Sequence, residues 1–149
     1  MAYSTRYIEA CRCMLLDFSG SITAKDILDA VRELPQYIND GTPLSGIISD
    51  YSDVTEFNVF TNGIREVAES TIRLSVEFPD VSVAVVAPTP TIFGSSRMWE
   101  VYCSKSSWTN NTFKTRESAE SWMRENLDVE HCKRPDCLIK NGRIDFKTV

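Results

Sequence analysis

The residues best placed to do chemistry cluster in one short run, Ser49-Asp50-Tyr51-Ser52-Asp53-Val54-Thr55. Two carboxylates and three hydroxyls of the Ser/Thr type sit there, at what reads as the carboxyl end of a central strand. Open α/β sheets gather ligands and functional groups at such ends. Two carboxylates in unlike surroundings can also divide into a general acid and a general base. The ordinary use of Asp, Ser and Thr at a strand end is humbler: they satisfy turn and N-cap amides. Asp50, Ser52, Asp53 and Thr55 therefore stand as candidates for an interaction or switch loop, with Thr61 and Asn62 at the start of the next helix.

Other chemistry-bearing residues are sparse. The single histidine, His131, adjoins Cys132, with Cys137 five residues on. Three soft or borderline ligands could contribute to a zinc site, but this spacing matches no common structural pattern and lacks a fourth ligand. Cys11 and Cys13, two apart on an expected strand, read as small buried hydrophobes rather than a redox pair. Glycine-rich nucleotide loops, nucleophile elbows and His-Glu-x-x-His are all absent from the sequence. No catalytic residue, metal or cofactor is assigned. Aromatic residues suggest a pocket instead: Phe57, Phe60, Phe93 and Trp99, with Arg97 after Ser95-Ser96 as an anion-binding guanidinium. At helical spacing such aromatics are ordinarily core.

The elements that must position these residues follow from periodicity. Tyr7 to Phe18 reads as one strand, closed by Gly20. Thr23 caps a first helix through Ile27, Val31, Leu34 and Ile38, stopping near Pro35. Asp40-Gly41-Thr42-Pro43 is a turn, and Leu44 to Ser49 a short strand. Phe57, Phe60, Ile64, Val67, Thr71, Leu74 and Phe78 recur at steps of three and four, which predicts a long helix. Gly63 beside Asn62 allows it to start there after a looser turn. Val81 to Ala87 carries no charge and reads as a strand buried on both faces. A third helix spans Ile92 to Cys103, then Trp108 to Phe113 forms a polar edge strand, and Thr115 caps a fourth helix. Four alternations of strand and helix predict an α/β layer fold with a largely parallel sheet.

Beyond Asn126 the pattern changes. Leu138-Ile139-Lys140 and Arg143-Ile144-Asp145-Phe146 flank Asn141-Gly142, a strong hairpin signal. The expected organisation is one domain over 1–127 and a C-terminal extension over 128–149. A lone hairpin is marginal in water. Addition to a sheet edge of the same chain or of a second copy is therefore expected, the latter giving a homodimer.

Composition limits the partners. The 149 residues carry a net charge of −5, which argues against general affinity for nucleic acid or anionic membranes. No run of about 18 apolar residues exists to span a membrane. The first residues show no apolar run of the signal type, and five cysteines are an odd number. Reduced thiols in the cytoplasm are the simplest reading.

Leu16-Asp17-Phe18-Ser19-Gly20-Ser21-Ile22-Thr23, Ile48-Ser49-Asp50-Tyr51-Ser52 and Val83-Ala84-Val85-Val86 follow one another along the chain. Phe93-Gly94-Ser95-Ser96-Arg97-Met98 and Thr112-Phe113 with Glu117 to Met123 come after them. In this order the segments resemble the SpoIIAA-like family. These are small bacterial proteins related in fold to the STAS domains of anti-sigma-factor antagonists and to Sec14-type lipid-carrying domains. The resemblance implies a four- or five-stranded mixed sheet, about four helices and no established enzymatic activity. In true antagonists a serine in an Asp-Ser-Ser-Gly pattern at a helix start is phosphorylated to switch partner binding. Here Thr61-Asn62-Gly63 stands nearest that place and the pattern is missing. The expected function is a non-catalytic regulatory or protein-interaction module. A carrier or sensor of a small apolar, lipid-like ligand is the alternative.

Overall fold

The computed structural model describes residues 2–9, 11–37 and 44–127, together with the backbone of 139–140 and 143–144. Five strands form one sheet in the order β1 (Tyr3–Ile8), β2 (Cys13–Thr23), β3 (Gly46–Asn58), β4 (Ser82–Val86) and β5 (Thr109–Phe113). Only the β1–β2 pairing is antiparallel. Helices α1 (Ala24–Glu33), α2 (Thr61–Glu77) and α3 (Pro90–Tyr102) connect successive parallel strands, and α4 (Arg116–Asn126) follows β5. A mixed five-stranded sheet with four helices is what the sequence reading and the family resemblance led one to expect.

Spatial order equal to chain order decides where the helices go. Three right-handed crossovers that all step in the same direction place α1, α2 and α3 on one face of the sheet. That face buries Leu16, Phe18, Ile22, Ile47, Val83 and Val85 against Ile27, Ile64, Val67 and Ile92. The opposite face buries Leu15, Ile48, Ala84 and Val86 under Ala119 and Met123 of α4. Alternate residues of the central strands therefore feed two separate cores, and charge-free runs such as Val83 to Val86 result.

Two strand readings are corrected. The expected single strand from Tyr7 to Phe18 is two strands folded back on each other, with Tyr7 opposite Met14. The turn passes through Arg12 at φ 55, whose carbonyl accepts from Ser45 N at 2.8 Å. Gly20 does not close β2. Its φ of 71 carries the chain through an irregularity between Gly20 and Ser21, and pairing continues to Thr23.

The first helix ends at Glu33 and tightens into a 3-10 turn over Leu34–Tyr37, one element short of Ile38, which lies outside the described residues. The Asp40–Pro43 turn also lies outside them. Thr115 caps α4 as expected, its hydroxyl oxygen accepting from Ser118 N. Ile139–Lys140 and Arg143–Ile144 pair antiparallel, as the Asn-Gly signal predicts. Whether that hairpin joins a sheet edge, and any role of His131, Cys132 and Cys137, falls on residues outside the description.

Candidate functional site

Between the sheet and helices α1–α3 lies a cavity of about 80 Å³. A single water needs roughly 10–15 Å³ of such space, so this volume would take a small organic molecule of several heavy atoms. Close-packed interiors ordinarily leave few voids larger than a water. The floor is the sheet face of Leu16, Ile47, Ser49, Tyr51, Val83 and Val85. The walls are Ile27 and Val31 of α1, Ile64, Val67 and Thr71 of α2, and Ile92, Ser95, Ser96 and Trp99 of α3. Phe57 and Val59 close the end nearest the start of α2. None of the described lining residues is charged.

The rim of polar atoms is mostly occupied. Thr71 Oγ1 donates to Val67 O at 2.8 Å, spending its hydrogen on its own helix. Ser96 Oγ lies 2.7 Å from Thr112 Oγ1, which donates to Glu100 Oε1 at 2.9 Å. Trp108 Nε1 donates to Phe78 O. Burial raises the Tyr51 phenol well above its ordinary range, so it stays neutral. Its ring stacks on Phe18 at 4.6 Å and 3° and meets Phe57 edge-on at 6.0 Å.

The expected pocket residues divide. Phe57 and Trp99 line the cavity. Phe57 reaches it from β3 and not from a helix: opposite Ile22 of β2, it is held by sheet pairing that overrides its helical spacing. Phe60 is the N-cap residue of α2 and 76% exposed, so it is a surface aromatic. Phe93 packs against the core edge with Lys114 Nζ 5.8 Å from its ring centre, outside the lining. Arg97 projects outward and pairs with Glu100 at 2.8 Å. The sequence reading did not name Tyr51, Ile64, Thr71 or Ser96 as pocket residues.

The expected interaction loop is not a loop. Asp50 to Asn58 continue β3 in parallel pairing with β2, past the end of β4, whose pairing stops at Asp50. Ser52, Asp53 and Thr55 are exposed on this projecting ribbon. Among the described residues no strand pairs with its other edge beyond Asp50. Thr61 and Asn62 are exposed in the first turn of α2 beside Phe60, and the N-cap makes no side-chain bond.

Asp50 itself faces the other side of the sheet. Its Oδ1 accepts from Ser52 N at 2.8 Å and its Oδ2 from Arg116 Nη1 at 3.0 Å. Arg116 also reaches Glu120 at 2.8 Å and Asp17 at 3.4 Å. Burial pulls the Arg116 guanidinium down, but bonds to Glu120 and Asp50 outweigh it and hold it above its ordinary value. Asp50 thus holds a local turn amide through Ser52 N and an ion pair to α4 through Arg116. Cys11 and Cys13 are both buried on this α4 side; the contact with Cys11 and burial push the Cys13 thiol up. No group of three or more metal-ligating side chains occurs among the described residues.

Fold and cavity together define a three-layer α/β protein with an apolar chamber on its three-helix side. No family model matches the chain, and no curated protein matches it. Among solved structures it is similar to an uncharacterized protein of the DUF3478 family from Shewanella loihica PV-4, described as having a SpoIIAA-like fold. The two are 13% identical, over 82% of this chain and 92% of that chain, with a TM-score of 0.49. No helix among the described residues is long and apolar enough to cross a membrane.

Proposed function

We propose that this protein is a non-catalytic binding module of the carrier or sensor kind, holding a small apolar ligand between its sheet and helices α1–α3. The observation that carries the reading is the uncharged cavity of about 80 Å³ at the junction of strands β2, β3 and β4 with three helices. Apolar cavities of that order stay dry and take up small hydrophobic molecules, because filling them restores lost dispersion contacts. Native mass spectrometry of gently purified protein tests it. A co-purifying small molecule, or a mass shift on adding a small apolar compound, is the expected result. Neither appearing would sink the reading.

A second reading, a cytoplasmic protein-interaction module, is favoured by the carboxyl-end surface. There the edge of β3 beyond Asp50, unpaired among the described residues, leads into exposed Phe60, Thr61 and Asn62. The partner is then another protein or a second copy of this chain. The two readings connect through the chain itself: Phe57 and Val59 line the cavity, and Phe60 is the next residue. A ligand that shifts them shifts the surface too, which is how a sensor would report.

A further inference from the structure

The two cysteines on the α4 side of the sheet serve nothing described so far. Cys11 lies in the β1–β2 turn and Cys13 opens β2, both in the apolar cluster that contains Ala119 and Met123. Between them stands Arg12 at φ 55. That conformation is costly for a residue with a Cβ. Its geometric effect is to draw the flanking Cα atoms together. Around a helical residue of either hand they stand about 5.4 Å apart, against about 6.6 Å around an extended one. The shorter spacing is central to the range that disulfides adopt, and the longer one is at its limit.

The side chains converge as well. The Cys13 thiol bonds to the Cys11 sulfur, a contact that lowers the Cys11 thiol from its ordinary value and raises that of Cys13. Exposure gives the pair an order: Cys11 is 8% exposed and Cys13 fully buried, so a reagent from solvent meets Cys11 first. The turn is also anchored. Arg12 O accepts from Ser45 N at 2.8 Å and from Gly46 N at 3.4 Å, at the start of β3.

We propose that Cys11 and Cys13 form a reversible dithiol–disulfide site, oxidised by a small disulfide of the glutathione type. The Cys11 thiolate attacks one sulfur of that disulfide, whose S–S bond breaks and releases one thiolate. Cys13 then loses its proton to solvent and displaces the second small thiolate from Cys11, which closes the Cys11–Cys13 bond. The two departing thiolates take up protons. Two protein thiols are oxidised, and one small disulfide is reduced to two thiols. The second step joins sulfurs already in contact, so the mixed disulfide does not accumulate. The site lies on the α4 side of the sheet, away from the cavity, and stands independently of the ligand-binding reading.

The sequence supplies the assay, because trypsin cuts after Arg6, Arg12 and Lys25 and so separates the two cysteines. The full native chain is equilibrated with mixtures of reduced and oxidised glutathione and quenched with acid. Free thiols are alkylated in denaturant, and the digest is weighed without reductant. The expected result is Tyr7–Arg12 joined to Cys13–Lys25, in a share that rises with oxidised glutathione and falls again when reduced glutathione is added. In Cys13→Ser the exchange stops halfway, and Tyr7–Arg12 carries glutathione. In Cys11→Ser, Cys13–Lys25 stays free of glutathione. Cys103→Ser leaves the joined pair unchanged. Both cysteines recovered as alkylated thiols at every mixture, or each joined to glutathione or to another cysteine, overturns the proposal. So does a joined pair that forms only when denaturant accompanies the glutathione.

Discussion

The two faces of the sheet solve the same packing problem differently. Under α4, one helix covers buried residues of four strands with Ala119 and Met123, both fully buried, and the carboxylates of Asp17, Asp50 and Glu120 share Arg116. Under α1–α3, three helices and far larger side chains leave a chamber, and Nε1 of Trp99, one of its lining residues, finds no partner among the described residues. More material has been spent on the looser side. Small residues close to the sheet give density, and Gly46 shows how close. A Cβ there would stand 2.8 Å from both Leu127 and Met123 of the α4 side. Large aromatic and branched residues arriving from three helices give shape, and shape is what a ligand needs. The close approach of sheet and helix is found where α4 packs, and the cavity where it does not.

The strongest way to break this comparison is Phe18→Ala. Phe18 is 2% exposed and carries the stacked Tyr51 ring that forms part of the cavity floor. Loss of about 3–5 kcal/mol in chemical denaturation is expected. A loss below about 1 kcal/mol would mean that this face collapses freely around holes and holds no fixed chamber.

On the other face, Arg116→Met removes the cation shared by Asp17, Asp50 and Glu120. Breaking a buried pair costs about 3–5 kcal/mol, and the partial exposure of Arg116 reduces that to about 2–3 kcal/mol. Denaturation at low and high salt measures it. A change under about 0.5 kcal/mol would reduce the cluster to surface decoration.

The sequence made some of this visible and hid the rest for identifiable reasons. Periodicity located α2, α3 and α4, because each buries one stripe. The β1–β2 turn was missed because its αL residue is Arg12, with no glycine, proline or asparagine to mark it. Phe57 read as helical because its spacing to Phe60 and Ile64 fits a helix; only pairing with Ile22 keeps it extended. Local pattern cannot register a partner 35 residues away. Asp50 was noticed, but its partner Arg116 is 66 residues on, and no spacing rule connects them. Trp99 was named for its aromatic body, whereas its unanswered N–H appears only once the strands and helices around it are packed.

Gly63 sharpens the contrast further. Alanine is normally better in a helix by about 1 kcal/mol. Here a Cβ at Gly63 would lie 2.5 Å from Ala24 Cβ, where α2 crosses α1. Gly63→Ala should therefore destabilise by about 1–2 kcal/mol in thermal melts. A stabilised variant would show that α1 moves aside easily and that the chamber's walls are loose.

The smallest effect belongs to Phe60→Ala, which leaves the uncapped start of α2 as it is. This exposed aromatic supports nothing in the core, so stability should stay within about 0.5 kcal/mol and uptake of a small apolar compound should not change. Loss of a partner captured by the unaltered protein would place the interaction surface at this residue.

The chamber is the central claim, and xenon tests it most directly, since xenon seeks dry apolar cavities and little else. Under xenon, amide and methyl resonances of the protein report where the gas resides. The account predicts saturable shifts concentrated at Val83, Val85, Ile64 and Trp99, with Ala119 and Met123 of the α4 face unmoved. Shifts spread equally over both faces, or none at the cavity lining, would contradict it.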